Sequence, residues 1–325
     1  MTMPSPSSSR LRVVLTDAAF SRGNFDIERE LLATIGADLV IAEGSRDAIL
    51  DTAADADALL TTFFVLDAEA ISCLRRCRVI SRYGVGFDQI DTRAAADSGI
   101  VVTYCPDYCT EEVAAHALAL LLMLLRRIPQ GDTFVRQGEW GAPRLRPIQR
   151  LSEVTVGIVG YGRIGRRLAT SLRELGVTVV INDPIRGRGE NGLAAAISLD
   201  ELLSTSDAVS LHAPLNEATR GLIGAPQIAS MREGSYLVNT ARGALVVLED
   251  VLAALQSGQL RGAALDVFPV EPPDPSAFRG VPNLIVTPHL AYYSEASVQE
   301  MKSTAARQVV QVLSGRAPDH PVPRS

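Results

Sequence analysis

Short apolar runs alternate with longer segments of helical periodicity from Leu11 to about Thr103 of the 325-residue chain. The runs of strand-like length are Val13–Leu15, Asp38–Ile41, Ala58–Leu60, Val79–Ser81 and Ile100–Val102. Strands that alternate with helices indicate a parallel sheet with helices on both faces. The pattern therefore predicts a first α/β domain of flavodoxin-like shape.

A second series of strands starts near Val154, and its first turn is rich in glycine. The strand Val154–Val159 is followed by a turn that also begins a helix, formed by Gly160, Tyr161, Gly162, Arg163, Ile164 and Gly165. The first glycine permits a tight turn, the second lets the backbone approach a pyrophosphate, and the third lets the helix pack close to the strand. The N–H groups at the start of that helix attract an anion.

The next strand ends in an acidic residue, Asp183, which lies 18 residues after Gly165. At this position a carboxylate can accept hydrogen bonds from the ribose hydroxyls of an adenosine. A glycine turn alone is a weak signal, but here strand, turn, helix, second strand and acid occur in order. The stretch predicts a dinucleotide-binding βαβ unit.

Four further strands are expected at 208–211, 235–238, 262–265 and 284–287, and polar residues follow each of them. The residues beyond these strand ends are His212, Ala213, Pro214, Asn239, Thr240, Ala241, Arg242, Asp266, Glu271 and His289. Ligands of open α/β sheets bind beyond the carboxyl ends of the strands. We therefore expect these residues to converge on one crevice.

Four of these side chains suit the transfer of a hydride to a 2-keto acid. Arg242 can hold the carboxylate and polarise the carbonyl, and His289 can donate the proton. Glu271 can hold the far ring nitrogen of the histidine, and Asp266 can bind the carboxamide of a nicotinamide. Taken singly, His289, Arg242 and Glu271 also fit a strand cap, a surface charge and a loop acid. Their shared place in a domain with a dinucleotide fingerprint favours catalysis.

A glycine pair follows the fourth strand of the first domain, in the stretch Arg82-Tyr-Gly-Val-Gly-Phe-Asp88. The stretch lacks a third glycine and a distal acid, which argues against a second nucleotide site. Its backbone N–H groups could bind a small anion. An ordinary glycine turn is an equally good interpretation.

Composition narrows the set of partners. A net charge of −6 and a pI near 5.4 argue against a broad phosphate-binding surface, so no nucleic-acid partner is expected. The apolar run Ala114–Leu125 is only about half a membrane span, so no membrane partner is expected. Four cysteines in two CxxxC pairs suit the reduced thiols of a cytoplasmic protein, and no metal site is expected. Residues 1–10, rich in Ser and Pro, predict a disordered tail.

The chain resembles the D-isomer-specific 2-hydroxyacid dehydrogenases. The matching stretches are Arg82–Asp88, Gly157–Gly165, Leu211–Leu215, Val238–Gly243, Ala264–Phe268 and Thr287–His289. The resemblance runs from about Val13 to Gly315 and implies an NAD-binding Rossmann domain over 106–292. That domain would be inserted into a flavodoxin-like substrate domain formed by 11–105 and 293–325 and completed by the C-terminal helix.

The resemblance also implies roles for individual residues. The catalytic residues of the family carry over onto Arg242, Glu271 and His289. Backbone at Val85 and Gly86 would hold the substrate carboxylate, with Arg82 as a further candidate. Tyr292 would line the substrate pocket, as an aromatic residue does in the branch that contains phosphoglycerate dehydrogenase and the C-terminal-binding protein corepressors. Such an aromatic wall would favour an apolar or thioether side chain on the substrate.

The expected function is an NAD-dependent oxidoreductase that interconverts a 2-keto acid and a D-2-hydroxy acid. NAD is expected because Asp183 would repel the 2′-phosphate of NADP, although Arg186 and Arg188 follow closely. An NAD(H)-sensing binding protein of the C-terminal-binding protein type is the alternative, and a phosphite-type oxyanion dehydrogenase is a minor one. A homodimer is expected, with the irregular segment 127–150, which contains Trp140, as a dimer arm.

Overall fold

The computed structural model describes residues 10–17, 24–184 and 195–323. The chain forms two compact units, of which Met1–Tyr108 with Ser294–Ser325 is the first and Cys109–Tyr293 is the second. Each unit contains a parallel sheet, which confirms the predicted fold class. The prediction that the first unit binds the substrate and the second binds NAD stays a prediction. The predicted tail lies, except for Arg10, outside the described residues.

The first unit has a five-stranded parallel sheet in the flavodoxin-like order β2-β1-β3-β4-β5. Its strands are β1 (Leu11–Leu15), β2 (Ala37–Ile41), β3 (Ala58–Thr61), β4 (Val79–Arg82) and β5 (Val101–Thr103). The helices between them are α1 (Asp26–Ala33), α2 (Arg46–Ala53), α3 (Ala68–Ser72) and α4 (Thr92–Asp97). Every residue of β3 and β4 is buried, as expected for parallel strands with both faces covered.

The C-terminal helix Glu295–Leu313 packs against α1 and β4 of the first unit. Its first turn is capped because the hydroxyl of Ser294 accepts a hydrogen bond from the amide of Ser297, and the reverse bond is also made. Gly315, which follows the helix, has a φ of 75°. The C-terminal helix implied by the resemblance is therefore part of the first unit.

The second unit has a seven-stranded parallel sheet in the order β12-β11-β10-β9-β6-β7-β8. Its strands are β6 (Thr155–Val159), β7 (Thr178–Asn182), β8 (Ala195–Ala196), β9 (Ala208–Leu211), β10 (Ser235–Asn239), β11 (Leu260–Leu265) and β12 (Leu284–Val286). Counted from β6, the first six follow the 3-2-1-4-5-6 order of a Rossmann fold. The order reverses between β6 and β9, so their carboxyl ends form the expected ligand crevice.

In the described part of this unit the helices that accompany the sheet are α5 (Thr110–Leu125), α6 (Ile128–Arg136), α7 (Arg163–Glu174), α8 (Leu199–Thr205), α9 (Ala225–Ser230) and α10 (Leu248–Ser257). Helix α5 is the apolar segment of the sequence, and it packs against α7 and β10. Thr110 is its first residue, and Cys109 occupies the cap position. None of the helices in the described part of the chain is long and apolar enough to cross a membrane.

The prediction that the segment 127–150 is irregular is wrong. It contains α6 and a 3₁₀ turn, Ala142–Leu145. Pro129 is the second residue of α6, where a backbone N–H has no partner within the helix, so this proline fits the first turn and does not interrupt the helix. The side chain of Trp140 is 91% exposed. Its place in a dimer arm stays a prediction.

An aspartate joins neighbouring strands at the amino end of each sheet. In the first unit the amide and carboxylate of Asp57 bond to the carbonyl and amide of Arg12, at 2.7 and 2.8 Å. In the second unit Asp207 makes the same pair of bonds to Thr155, both at 2.8 Å. Each aspartate therefore closes a small hydrogen-bonded ring between two strands.

Candidate active site

The glycine turn after β6 leaves an open backbone surface at the start of α7. Gly160 has a φ of 93°, and a Cβ at this position would lie 2.6 Å from backbone atoms of His212 and Ala213. A Cβ at Gly165 would lie 2.2 Å from the carbonyl oxygen of Gly160. At Gly162, by contrast, no heavy atom of the described residues lies within 4 Å of that position. The outer glycines are thus required by packing, and the middle one keeps the approach to the helix open.

The acid at the end of the second strand is attached to this turn. Oδ2 of Asp183 accepts a hydrogen bond from the amide of Tyr161 at 2.8 Å. The amide of Gly160 donates to the carbonyl of Asn182 at 2.8 Å. The carboxylate therefore lies beside the turn, where an adenosine ribose is expected. Arg186 and Arg188 lie outside the described residues.

Two buried polar atoms at the ends of β9 and β10 support a ligand at this edge. Nδ1 of His212 and Oγ1 of Thr240 have no hydrogen-bond partner among the described residues. Nε2 of His212 lies 2.9 Å from the hydroxyl of Ser210, and burial lowers the pKa of His212 to about 4, so the ring is neutral at pH 7. Buried polar atoms of this kind are usually satisfied by a ligand or by water. Together with the open turn they fit a dinucleotide.

The structure places the predicted cofactor residues beyond the carboxyl ends of five neighbouring strands, β6, β7, β9, β10 and β11. These residues are Gly160, Gly162, Arg163, Ile164, Gly165, Asp183, His212, Ala213, Pro214, Thr240, Ala241 and Asp266. Their individual contacts with a cofactor stay predictions.

Glu271 and His289 form a hydrogen-bonded pair. Nδ1 of His289 lies 2.6 Å from Oε2 of Glu271, and Oε1 of Glu271 accepts from the amide of Phe268 at 2.9 Å. Burial raises the pKa of Glu271, but the hydrogen bond and charge of His289, the amide of Phe268 and the charge of Arg242 together lower this pKa below its ordinary value. The glutamate is therefore ionised at neutral pH and fixes the orientation of the imidazole.

The loop that carries His289 is held by Asp266, which follows β11. His289 has a φ of 51°, in the left-handed region, and its amide donates to the carbonyl of Asp266 at 2.8 Å. The carboxylate of Asp266, which is fully buried, accepts from the hydroxyl of Thr287 at 2.6 Å. It also accepts from the amides of Leu290 and Ala291, each at 3.0 Å. All of these contacts hold the histidine loop.

Arg242 is brought to the same edge by its neighbours in the loop after β10. The side chain of Asn239 donates to the carbonyl of Arg242 at 2.8 Å and accepts from the amide of Ala241 at 3.1 Å. A Cβ at Gly243 would lie only 1.9 Å from the carbonyl carbon of Phe268, so only glycine lets the two loops meet. The charge of Arg242 is also felt at Glu271. The three predicted catalytic residues thus belong to one electrostatic cluster.

Two further aromatic or titratable side chains lie at this cluster. The ring of Tyr292 meets that of His289 edge to face, with 6.1 Å between ring centroids, which suits its predicted place beside the histidine. His116 on α5, to which the sequence assigns no role, lies with Nε2 3.2 Å from the hydroxyl of Thr287 and 3.8 Å from Oδ1 of Asp266. A sequence signal for His116 is its polar ring within an apolar helix.

The predicted substrate residues of the first unit are Arg82, the last residue of β4, and Val85 and Gly86 in the loop that follows. Gly84 has a φ of 134°, and a Cβ there would lie 1.4 Å from Nη1 of Arg82, so the guanidinium folds over the glycine. Arg82 is buried, whereas Val85 and Gly86 are half-buried. The substrate contacts of these residues stay predictions.

Residues 118–291 match the family model of the D-isomer specific 2-hydroxyacid dehydrogenase NAD-binding domain. The chain belongs to this family. It is 37% identical over 283 residues to a glyoxylate reductase of Thermofilum pendens, which covers 84% of this chain and 83% of that protein. It is 32% identical over 298 residues to a D-3-phosphoglycerate dehydrogenase of Methanocaldococcus jannaschii, which covers 90% of this chain but only 56% of the relative.

A solved structure with a bound ligand is also similar to this 2-hydroxyacid dehydrogenase. The D-lactate dehydrogenase of Aquifex aeolicus, in complex with NAD and lactic acid, has a TM-score of 0.84 and 27% identity, over 94% of this chain and 96% of that one. The predicted family, the oxidoreductase class and NAD as cofactor are confirmed.

Proposed function

We propose that this dehydrogenase interconverts a 2-keto acid and a D-2-hydroxy acid, with Arg242, Glu271 and His289 as its catalytic residues. The observation that carries the proposal is the 2.6 Å contact between His289 and Glu271, in the unit that also carries the open glycine turn. An acid–base pair, a cation and a dinucleotide turn on neighbouring strand ends provide the groups that the reaction needs.

The three residues divide the work of the reduction. Reduced NAD, when bound, supplies the hydride for the keto carbon. Arg242 binds the carboxylate and draws electron density toward the carbonyl oxygen. His289 donates a proton to that oxygen from Nε2, because its Nδ1 is held by Glu271. In the oxidising direction the same histidine accepts the proton of the hydroxyl group.

We propose the substrate contacts from the family resemblance and from one geometric fact. The backbone of Val85 and Gly86 binds the substrate carboxylate, and Arg82 is a further candidate. Tyr292, whose ring contacts His289, lines the side-chain pocket. The relatives are named for glyoxylate, 3-phosphoglycerate and lactate. Tyr292 favours a substrate with an apolar side chain over a small or phosphorylated acid.

No observation favours the NAD(H)-sensing binding protein or the phosphite-type enzyme over the keto-acid reductase. The relatives reported above are named as enzymes that act on 2-hydroxy or 2-keto acids. A homodimer and a cytoplasmic location stay predictions.

A panel of keto acids tests the proposal. Glyoxylate, pyruvate, 3-phosphohydroxypyruvate and phenylpyruvate would each be offered with NADH and with NADPH, and oxidation of the cofactor would be followed by absorbance. We expect turnover with NADH, and the highest kcat/KM with the aromatic keto acid. Absence of turnover on every acid would contradict the proposed activity. A preference for glyoxylate would contradict only the assignment of Tyr292.

A further inference from the structure

A chain of hydrogen bonds connects α5 to the loop that carries the catalytic histidine. Nε2 of His116 lies 3.2 Å from the hydroxyl of Thr287, and this hydroxyl lies 2.6 Å from Oδ1 of Asp266. The side chain of His116 is 19% exposed, and that of Asp266 is fully buried. None of the reaction steps proposed above uses His116 or Thr287.

The direction of the protons in this chain follows from the chemistry of its members. A carboxylate only accepts, so the single hydroxyl proton of Thr287 is donated to Asp266. The oxygen of Thr287 can then only accept from the imidazole. Nε2 of His116 therefore carries a proton, and the geometry selects one of the two neutral tautomers.

The last two residues of this hydrogen-bond chain also bind the backbone of His289. Asp266 and Thr287 both accept from the amide of His289 through their carbonyls, at 2.8 and 3.0 Å. The carboxylate of Asp266 also binds the amides of Leu290 and Ala291. A non-glycine residue with a φ of 51° persists only where its surroundings fix the backbone. The strand ends and α5 supply that constraint together.

We propose that His116 is a positioning residue, whose Nε2–H acts through the Thr287 hydroxyl and the Asp266 carboxylate to hold the loop that presents His289. The inference rests on the proposed function, because it takes His289 as the proton donor. For this role Nε2 of His116 must carry a proton and donate it to the hydroxyl of Thr287. A side chain that merely fills space on α5 would not need that proton.

The tautomer can be observed directly, without any activity measurement. The chain has four histidines, so a protein labelled with ¹⁵N-histidine gives few ring signals, and His116→Gln assigns those of residue 116. The spectrum would be recorded above about pH 8, where an unperturbed imidazole is neutral. We expect the Nε2–H tautomer for His116. The Nδ1–H tautomer would overturn the inference.

Kinetics separate the donor from the shape of the ring. His116→Gln keeps an N–H donor, whereas His116→Leu removes it. We expect kcat to fall about tenfold in His116→Leu, with KM for NADH unchanged, and by less than about threefold in His116→Gln, because a small displacement of a catalytic group slows turnover strongly. An unchanged kcat in His116→Leu, or equal losses in both variants, would overturn the inference.

Two further comparisons keep the test decisive. If His116→Leu does not fold, Thr287→Val breaks the same chain with a side chain of similar shape, and Thr287→Ser restores the hydroxyl. His320→Leu in the first unit is the matched control, since within the described residues His320 forms its hydrogen bonds through its backbone amide and carbonyl. A wild-type protein without keto-acid turnover would contradict the proposed function, while the tautomer would still test the role of His116.

Discussion

The carboxyl ends of the two parallel sheets differ in what satisfies the backbone amides that point beyond them. In the first unit the carboxylate of Asp17, which follows β1, accepts from the amides of Thr62, Phe63 and Phe64, each at 3.0 Å. In the second unit β6 is followed by the glycine turn, and at Gly162 the space among the described residues is open. Three amides at the first edge therefore share an internal carboxylate, whereas at the second edge Asp183 accepts from the amide of Tyr161 and the described residues leave room for an anion at Gly162.

The amino ends of the two sheets, by contrast, use the same device. Asp57 and Asp207 each close a ring with the first strand of their sheet, with nearly identical distances. The hydrogen bonds that the two amino ends share are structural, whereas the difference between the carboxyl ends concerns the binding of a ligand. An aspartate at the amino end joins strands in both units, whereas at the carboxyl end β1 is followed by a carboxylate that binds three amides and β6 by an open glycine turn.

The largest expected difference in keto-acid turnover is between two variants that each remove one arginine, at opposite ends of the second sheet. Arg242→Ala at the carboxyl end is expected to lower kcat/KM for a keto acid about a hundredfold or more, because the transition-state charge loses its cation. Arg232→Ala is the matched control, since Arg232 pairs with Asp207 at the amino end at 2.9 Å. Its turnover should stay near that of the wild type. Equal losses in the two variants would remove the distinction between the ends.

Asp17→Ala should destabilise the protein by about 2 kcal/mol, because three amides lose their shared acceptor. Hydrogen exchange should increase at Thr62, Phe63 and Phe64, and urea unfolding would give the change in stability. Asp17→Asn keeps an acceptor oxygen and should lose less. Unchanged exchange at these three amides would show that the internal anion does not hold the first edge.

Asp57→Ala and Asp207→Ala should each cost about 1.5 kcal/mol, since each leaves one strand amide without its carboxylate. The two losses, measured by urea unfolding, should agree within about 1 kcal/mol. Keto-acid turnover should not change in either variant. A large loss in only one of them would argue against a common device.

Asp183→Ala should raise the Kd for NADH about tenfold, the scale of one hydrogen bond to a charged group. The variant also removes the acceptor of the Tyr161 amide. Asp183→Asn keeps an acceptor for that amide but loses the charge, so it should improve NADPH binding with a smaller loss for NADH. Calorimetric titration of both cofactors would measure this. Unchanged affinities would contradict a ribose contact at Asp183.

The smallest expected effect is a change in the free energy of unfolding at acidic pH. The pKa of Glu271 is lowered in the folded protein from its ordinary value of 4.5, so its ionised form stabilises the fold above that pH. This contribution is lost as pH falls through the lowered pKa. The difference in unfolding free energy between wild type and Glu271→Gln should therefore shrink below about pH 4.5. A constant difference down to low pH would argue against the His289 pairing.

The sequence predicts local features well and distant contacts poorly. The strands appear because apolar runs and the glycine turn are local signals. Helix α6 is missed because Pro129 suggests a break, although a proline is tolerated in a first turn. β8 has only two residues and no pattern of its own. The role of His116 depends on a contact with Thr287, 171 positions away, which periodicity cannot show.

We propose above that NADH passes a hydride to a 2-keto acid at the carboxyl edge of the second sheet. The most direct test uses NADH deuterated at C4 on the transferred face, with the keto acid of highest turnover, and mass spectrometry with chiral separation of the product. We predict a D-2-hydroxy acid with one deuterium at C2. An unlabelled product, an L-hydroxy acid or no product at all would contradict the claim.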